Sequence, residues 1–144
     1  MDAIAQFFTA DHRRCDQLLA DCEAAIARKD WQETEIAAAA FQEALLRHFL
    51  WEEEQLFPEV EEAAPTASGP TGVMRMEHEQ MRQLLQNLME AVQAQDREAC
   101  LGELETLHLL NQQHNMKEEG ILYPLADQVL SHQARDLIEQ LKAS

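Results

Sequence analysis

Apolar residues recur along this chain at the three-to-four-residue spacing of helices that bury one face. The first stripe runs Phe8, His12, Cys15, Leu19, Cys22, Ile26, and the second runs Phe41, Leu45, His48, Glu52. The third is Met74, His78, Met81, Leu85, Leu88, Val92, and the fourth is Leu104, Leu107, Asn111, His114, Glu118. Capping residues and breakers between the stripes suggest the boundaries. Thr9 or Asp11 is placed to cap a first helix running to about Lys29. Asp30, with Glu33 three residues on, has the capping-box pattern for a second helix that reaches about Gln55 before Pro58. Residues 64–72, "APTASGPTG", read as a loop, with Thr71 as the next cap and a third helix over roughly Val73 to Gln95. Asp96 caps a fourth helix ending near Leu122 before Pro124, and Ser131 a short closing helix to about Lys142. Long helices joined by short turns run antiparallel. The expected fold is therefore all-α, an up-down four-helix bundle with a short C-terminal helix.

The polar members of those stripes are what call for explanation. Each stripe carries one histidine, and the second and fourth add a glutamate one turn later. The chain also repeats itself. "HFLWEEEQLFP" at 48–58 matches "HNMKEEGILYP" at 114–124, an offset of 66 residues (114 − 48 = 66). "DHRRCDQLL" at 11–19 and "EHEQMRQLL" at 77–85 share that offset, as do Asp30 and Asp96. A unit this long suits a helix hairpin used twice, giving a bundle with an approximate two-fold axis. His12, His48, Glu52, His78, His114 and Glu118 then meet at one level near one end of the bundle. A lone buried histidine is ordinarily a hydrogen-bonded core residue. Two carboxylates buried together are unfavourable unless something positive lies between them. These six residues are accordingly the candidate metal ligands, while His108 and His132 fall off the stripes and are expected at the surface.

Composition narrows the chemistry. The 144 residues suit one domain spanning 1–144, and only four Gly and four Pro agree with a helical fold. Eleven Lys+Arg against 27 Asp+Glu, a net charge of −16, argue against a nucleic-acid partner. No stretch has the length of a membrane span and the first residues lack a signal-peptide layout, so a cytoplasmic protein with no membrane partner is expected. Cys15, Cys22 and Cys100 form no CxxC pair, which speaks against a disulfide framework or a zinc finger. Four imidazoles and two carboxylates exceed what one tetrahedral zinc needs, and an all-oxygen calcium or magnesium cage would not recruit histidine. A mixed nitrogen and oxygen set suits iron or manganese. Two-fold half-sites suggest two ions. If Glu52 and Glu118 both bridge, each ion has two nitrogens and two oxygens from the protein and room for an exchangeable ligand. The Glu-x-x-His pairs of ferritin-like sites are absent from the stripes; the one instance, Glu105 with His108, lies off them.

His12, the two His-x-x-x-Glu segments and "EHEQMRQLL" together resemble the hemerythrin-like (HHE cation-binding) family over roughly residues 5–125. The resemblance implies a four-helix bundle holding a non-haem di-iron centre. One iron would take His12 and His48, the other His78 and His114, with Glu52 and Glu118 as bridging carboxylates. It implies two iron ions, with manganese or zinc as substitutes, and a small ligand, O2, NO or peroxide, bound by a sensor or carrier. The alternatives are a di-iron enzyme acting on peroxide, NO or ferrous iron, or an iron-handling protein. Oxygen-carrying hemerythrins have a fifth histidine one turn before the third-helix histidine, where this chain has Met74. They also place the last carboxylate five residues after its histidine, the position of Glu119 here. The four-residue spacing to Glu118 looks like that of HHE proteins of iron, NO or redox sensing, and the lost histidine leaves the second iron less saturated. Around the ligands, Met74 and Cys15 are expected simply to pack. Trp51 and Tyr123 should wall the site, Tyr123 within reach of a carboxylate, with Asn111 and Asn115 behind the ligands. Glu53 and Glu119 should point sideways, Glu119 being an alternative ligand.

Overall fold

Each amphipathic stripe becomes one rod of a bundle in the computed structural model, which describes residues 2–144; Met1, part of the expected domain span, lies outside them. The elements are α1 (Ala3–Ala27), α2 (Trp31–Trp51), α3 (Phe57–Ala63), α4 (Ser68–Gln93), α5 (Arg97–Lys117), α6 (Tyr123–Val129) and α7 (Ala134–Ala143). Two π-helical turns, Glu52–Leu56 and Glu118–Leu122, join α2 to α3 and α5 to α6, and a 3-10 turn, Pro65–Ala67, precedes α4. In cross-section α1 packs on α2 and α5, and α4 packs on the same two, so the order around the bundle is α1, α2, α4, α5. Among the described residues no helix is long and apolar enough to cross a membrane.

The two hairpins turn in the same way. Lys29 and Gln95 take left-handed φ values of 58° and 53°. That conformation lets the Asp30 N–H reach the Ala25 carbonyl at 3.2 Å and the Asp96 N–H reach that of Ala91 at 3.0 Å, closing each first helix. Asp30 and Asp96 then cap the helices that follow, accepting the Glu33 N–H at 3.0 Å and the Ala99 N–H at 3.1 Å.

Several expected boundaries move, each for a physical reason. α1 begins at Ala3 rather than after Thr9 or Asp11, because its free N–H groups find a carboxylate from the far end of the chain. Asp127 of α6 accepts the Ile4 and Ala5 N–H at 2.8 and 2.9 Å. Pro58 and Pro124 do not end their rods. Each falls in the first turn of the segment after a π turn, where a missing N–H breaks no helical bond. "APTASGPTG" is mostly helix: α4 starts at Ser68, and Thr71 lies inside it, its hydroxyl tied to Glu61 instead of capping. The closing helix starts at Ala134 rather than after Ser131, since buried Leu130 holds the chain in a turn.

Two apolar clusters fill the interior. One runs through Leu19, Phe41, Leu85 and Leu104 toward the hairpin turns. The other joins Ile4, Phe8, Phe57 and Leu122 to Leu137 and Leu141 of α7. The polar layer lies between them, because on α1 His12 separates Phe8 from Cys15 and on α4 His78 separates Met74 from Met81. α3, α6 and α7 thus close the end at which the ligands were expected to lie, and the layer is internal.

A left-handed residue with a side chain costs about 1 kcal/mol more than glycine. Lys29→Gly and Gln95→Gly should each raise the unfolding free energy by about 1 kcal/mol, and with it the urea midpoint, with metal content unchanged. A lowered midpoint in urea melts would contradict this account of the turns.

Candidate metal centre

Helical spacing puts one histidine of each rod on the inner face, and the π turns place the carboxylates. Glu52 and Glu118 open those turns and are fully buried. In an α-helix the fifth residue beyond a given one lies well around the rod; the wider π turn brings it back toward the same face. Both Leu56 and Phe57, and both Leu122 and Tyr123, therefore enter the core. The six candidate ligands form two groups of four, His12, His48, Glu52, Glu118 and Glu52, His78, His114, Glu118. Within each group one atom per residue lies within 4.8 Å of the others, and both glutamates belong to both groups.

A ring of carboxylates surrounds this layer. Asp11 of α1 accepts from His48 Nδ1 at 2.8 Å, and Glu53 of the first π turn from His78 Nδ1 at 2.6 Å. Glu77 of α4 accepts from His114 Nδ1 at 2.7 Å, and Glu119 of the second π turn from His12 Nδ1 at 2.7 Å. The four bonds link each rod to the next and close the circle. With Nδ1–H donating outward, every imidazole turns Nε2 to the centre, the tautomer a metal ligand needs. Each outer carboxylate also holds a cation: Arg14 on Asp11 at 2.9 Å, Arg82 on Glu53 at 2.7 Å, Arg13 on Glu119 at 3.0 Å, and Lys117 on Glu77.

This electrostatic setting moves the titrations. Burial alone would lower the pKa of His48, but the Glu52 charge and the Asp11 hydrogen bond outweigh it and hold the group at about 10. His114 behaves likewise, burial being overcome by Glu118, Glu52 and Glu77 to leave it at about 9. His78 is also raised, against burial, by the close Glu52 carboxylate and its hydrogen bond to Glu53. For Glu53 burial is outweighed by His78 and Arg82, which bring it down to about 2. Without metal, burial pushes the Tyr123 phenol well up, helped by the Glu118 and Glu52 charges, and the hydroxyl donates to Glu52 Oε2 at 2.6 Å.

Four inward atoms are buried without a hydrogen-bond partner: Glu52 Oε1, His78 Nε2, His114 Nε2 and Glu118 Oε2. His78 Nε2 lies 3.1 Å from Glu52 Oε1, and His114 Nε2 lies 3.2 Å from Glu118 Oε2, yet neither contact has hydrogen-bond alignment. Two imidazole nitrogens and two carboxylate oxygens converging unpaired in a dry interior are what a cation resolves, so the donor set fits a metal.

The surrounding residues divide. Tyr123 reaches the centre as expected, whereas Trp51 faces outward, against Phe7 and Arg47 with its ring N–H on Ser144. Glu119 belongs to neither group of four and serves as the acceptor for His12. Asn111 and Asn115 are buried, and His108 and His132 are exposed. Cys15 is buried, and desolvation with the Asp11 charge pushes its thiol up to about 12, so it is inert. Asp11 and Glu77 were not anticipated. Their signal was in the repeat, an acidic residue immediately before His12 and again before His78, but which histidine each would meet depends on the neighbouring rod.

A family model described as the hemerythrin HHE cation binding domain matches residues 3–126. No curated protein and no solved structure matches the chain.

The raised histidines stabilise the chelated protein fully below their unfolded pKa of 6.5, and that stability is lost as pH rises through about 9 and 10. The lowered Glu53 contributes above its unfolded value of 4.5, and its share is lost as pH falls toward about 2. Metal-free protein should therefore be most resistant to urea in the window between those unfolded values, with a midpoint falling on either side. A midpoint still climbing toward pH 9 would contradict the charge assignments.

Proposed function

The chain belongs to the hemerythrin HHE cation-binding family, and on that premise we propose that it is a non-haem di-iron protein that binds O2, NO or peroxide as a sensor or carrier. His12 and His48 would hold one iron and His78 and His114 the other, with Glu52 and Glu118 available to both. The observation that carries this reading is the pair of four-residue groups that share both glutamates. A cation at one group alone would use only two of the four imidazoles; one at each group uses all six side chains, with both glutamates shared. A pair of bridged irons supplies a redox-active centre with an exchangeable position for a small ligand.

The chain's own residues prepare that centre. The outer carboxylates hold each imidazole in the ligating tautomer, and their surface cations hold the carboxylates in turn. The two apolar clusters on either side keep water from the layer. The Cys15 thiol, pushed up to about 12, and the outward-facing Trp51 add no chemistry to the metal layer. Because the binding residues come from all four rods, metal occupancy and packing of the rods are linked, which is a physical basis for sensing.

Protein loaded anaerobically with ferrous iron should hold about two irons per chain, with near-ultraviolet absorption that changes on adding NO or peroxide. His114→Ala should lose iron and abolish that response, and chelation should lower the thermal midpoint of the wild type. A single tightly held zinc, or no iron at all, would refute the reading.

A further inference from the structure

The repeat is broken at the centre in two places. Tyr123 and its counterpart Phe57 follow equivalent π turns, but Phe57 stacks on His78 and offers no donor. Phe8 and its counterpart Met74 both pack in the apolar cluster beyond the metal layer. The consequence is uneven. The Tyr123 hydroxyl oxygen lies 2.6 Å from Glu52 Oε2 and 2.9 Å from Glu118 Oε1. It lies 3.1 Å from His12 Nε2 and 3.3 Å from His48 Nε2. Those are the inward atoms of the first group of four. The inward atoms of the second group are the four without partners.

We infer that Tyr123 is itself a ligand of the cation held by His12 and His48, that this position is thereby closed, and that the small ligand binds at the His78 and His114 position. The inference rests on the di-iron reading above. In an octahedron with bonds of about 2.1 Å, neighbouring ligand atoms are about 3 Å apart. The hydroxyl oxygen stands close to that separation from all four atoms at once, which suits a fifth ligand adjacent to each. A solvent oxygen shared with the second cation would take the sixth place, leaving this position closed and one place open at the other. Coordination replaces the phenol O–H bond by an oxygen–metal bond; the proton leaves to solvent and no electron is transferred.

At the second position the protein supplies four donors, and the residue one turn before His78 is Met74. Its thioether is a poor partner for ferric iron. Met74 is 3% exposed and also lines an apolar pocket of about 190 Å3 with Pro70, Val73, Lys117, Ile121 and Leu122. Ile121 and Val73 are exposed at its rim.

Tyr123 is the only tyrosine in the chain, so a phenolate signal can have one source. Air-oxidised iron-loaded wild type should show a visible phenolate-to-iron charge-transfer band, with phenolate ring vibrations enhanced in resonance Raman spectra. Tyr123→Phe, a conservative change, should lose the band while retaining both irons. Anaerobic ferrous wild type should take up about one NO per chain, Tyr123→Phe about two, and Met74→His, which supplies a donor to the second position, close to none. Two bound irons with no phenolate signal, or two NO per wild-type chain, would overturn the inference and leave the di-iron reading standing. Failure of the wild type to bind a pair of irons would overturn that reading itself.

Discussion

Glu52 and Glu118 place two carboxylates in one dry layer between four helices, and each buried ion left unmet is unfavourable by on the order of several kcal/mol. Much of the surrounding structure can be understood as an answer to that constraint. Four imidazoles and one phenol supply positive or donating groups from the inner faces. Four outer carboxylates then orient the imidazoles, and four surface cations balance the outer carboxylates. Charge alternates outward from the centre, so a chain carrying a net −16 can still bury acidic groups in its core.

The same arrangement ties the rods together. Apolar packing between helices has no direction and tolerates sliding, whereas each imidazole–carboxylate bond joins a particular residue of one rod to a particular residue of the next. The bonds run from α1 to α2, on through the first π turn to α4, from α4 to α5, and through the second π turn back to α1. They set the register of the four rods at the level where a metal must be held. The apolar clusters above and below supply the bulk of the stabilisation; the ring gives specificity.

A duplicated hairpin would by itself make two equal metal positions. The two halves have diverged at residues beside or just beyond the candidate ligands, Tyr123 against Phe57 and Phe8 against Met74, while the candidate ligands and the outer carboxylates keep their spacing. On the di-iron reading proposed above, that symmetry would hold a pair of ions, and its local loss would direct a small ligand to one of them.

The bundle, the offset of 66 between the halves (114 − 48 = 66) and the six residues that meet at the centre were legible in the sequence, because all follow from the period of a helix. Stripes such as Phe8, His12, Cys15 and Leu19 say which face is buried without reference to any other rod. Asp30 and Asp96 were legible for the same reason, since a cap and the N–H it serves are three residues apart. What the periodicity could not show depends on partners distant in the chain. The start of α1 is set by Asp127, more than a hundred residues away. The π turns that carry the rods past Pro58 and Pro124 were not legible, although Tyr123, which the second of them brings inward, was expected at the site. Asp11 and Glu77 stand beside histidines in the sequence, yet each serves the histidine of the neighbouring rod. Local spacing determined what each helix presents. Only packing decided which groups met, because hydrogen bonds between rods depend on their register in space and not on separation along the chain.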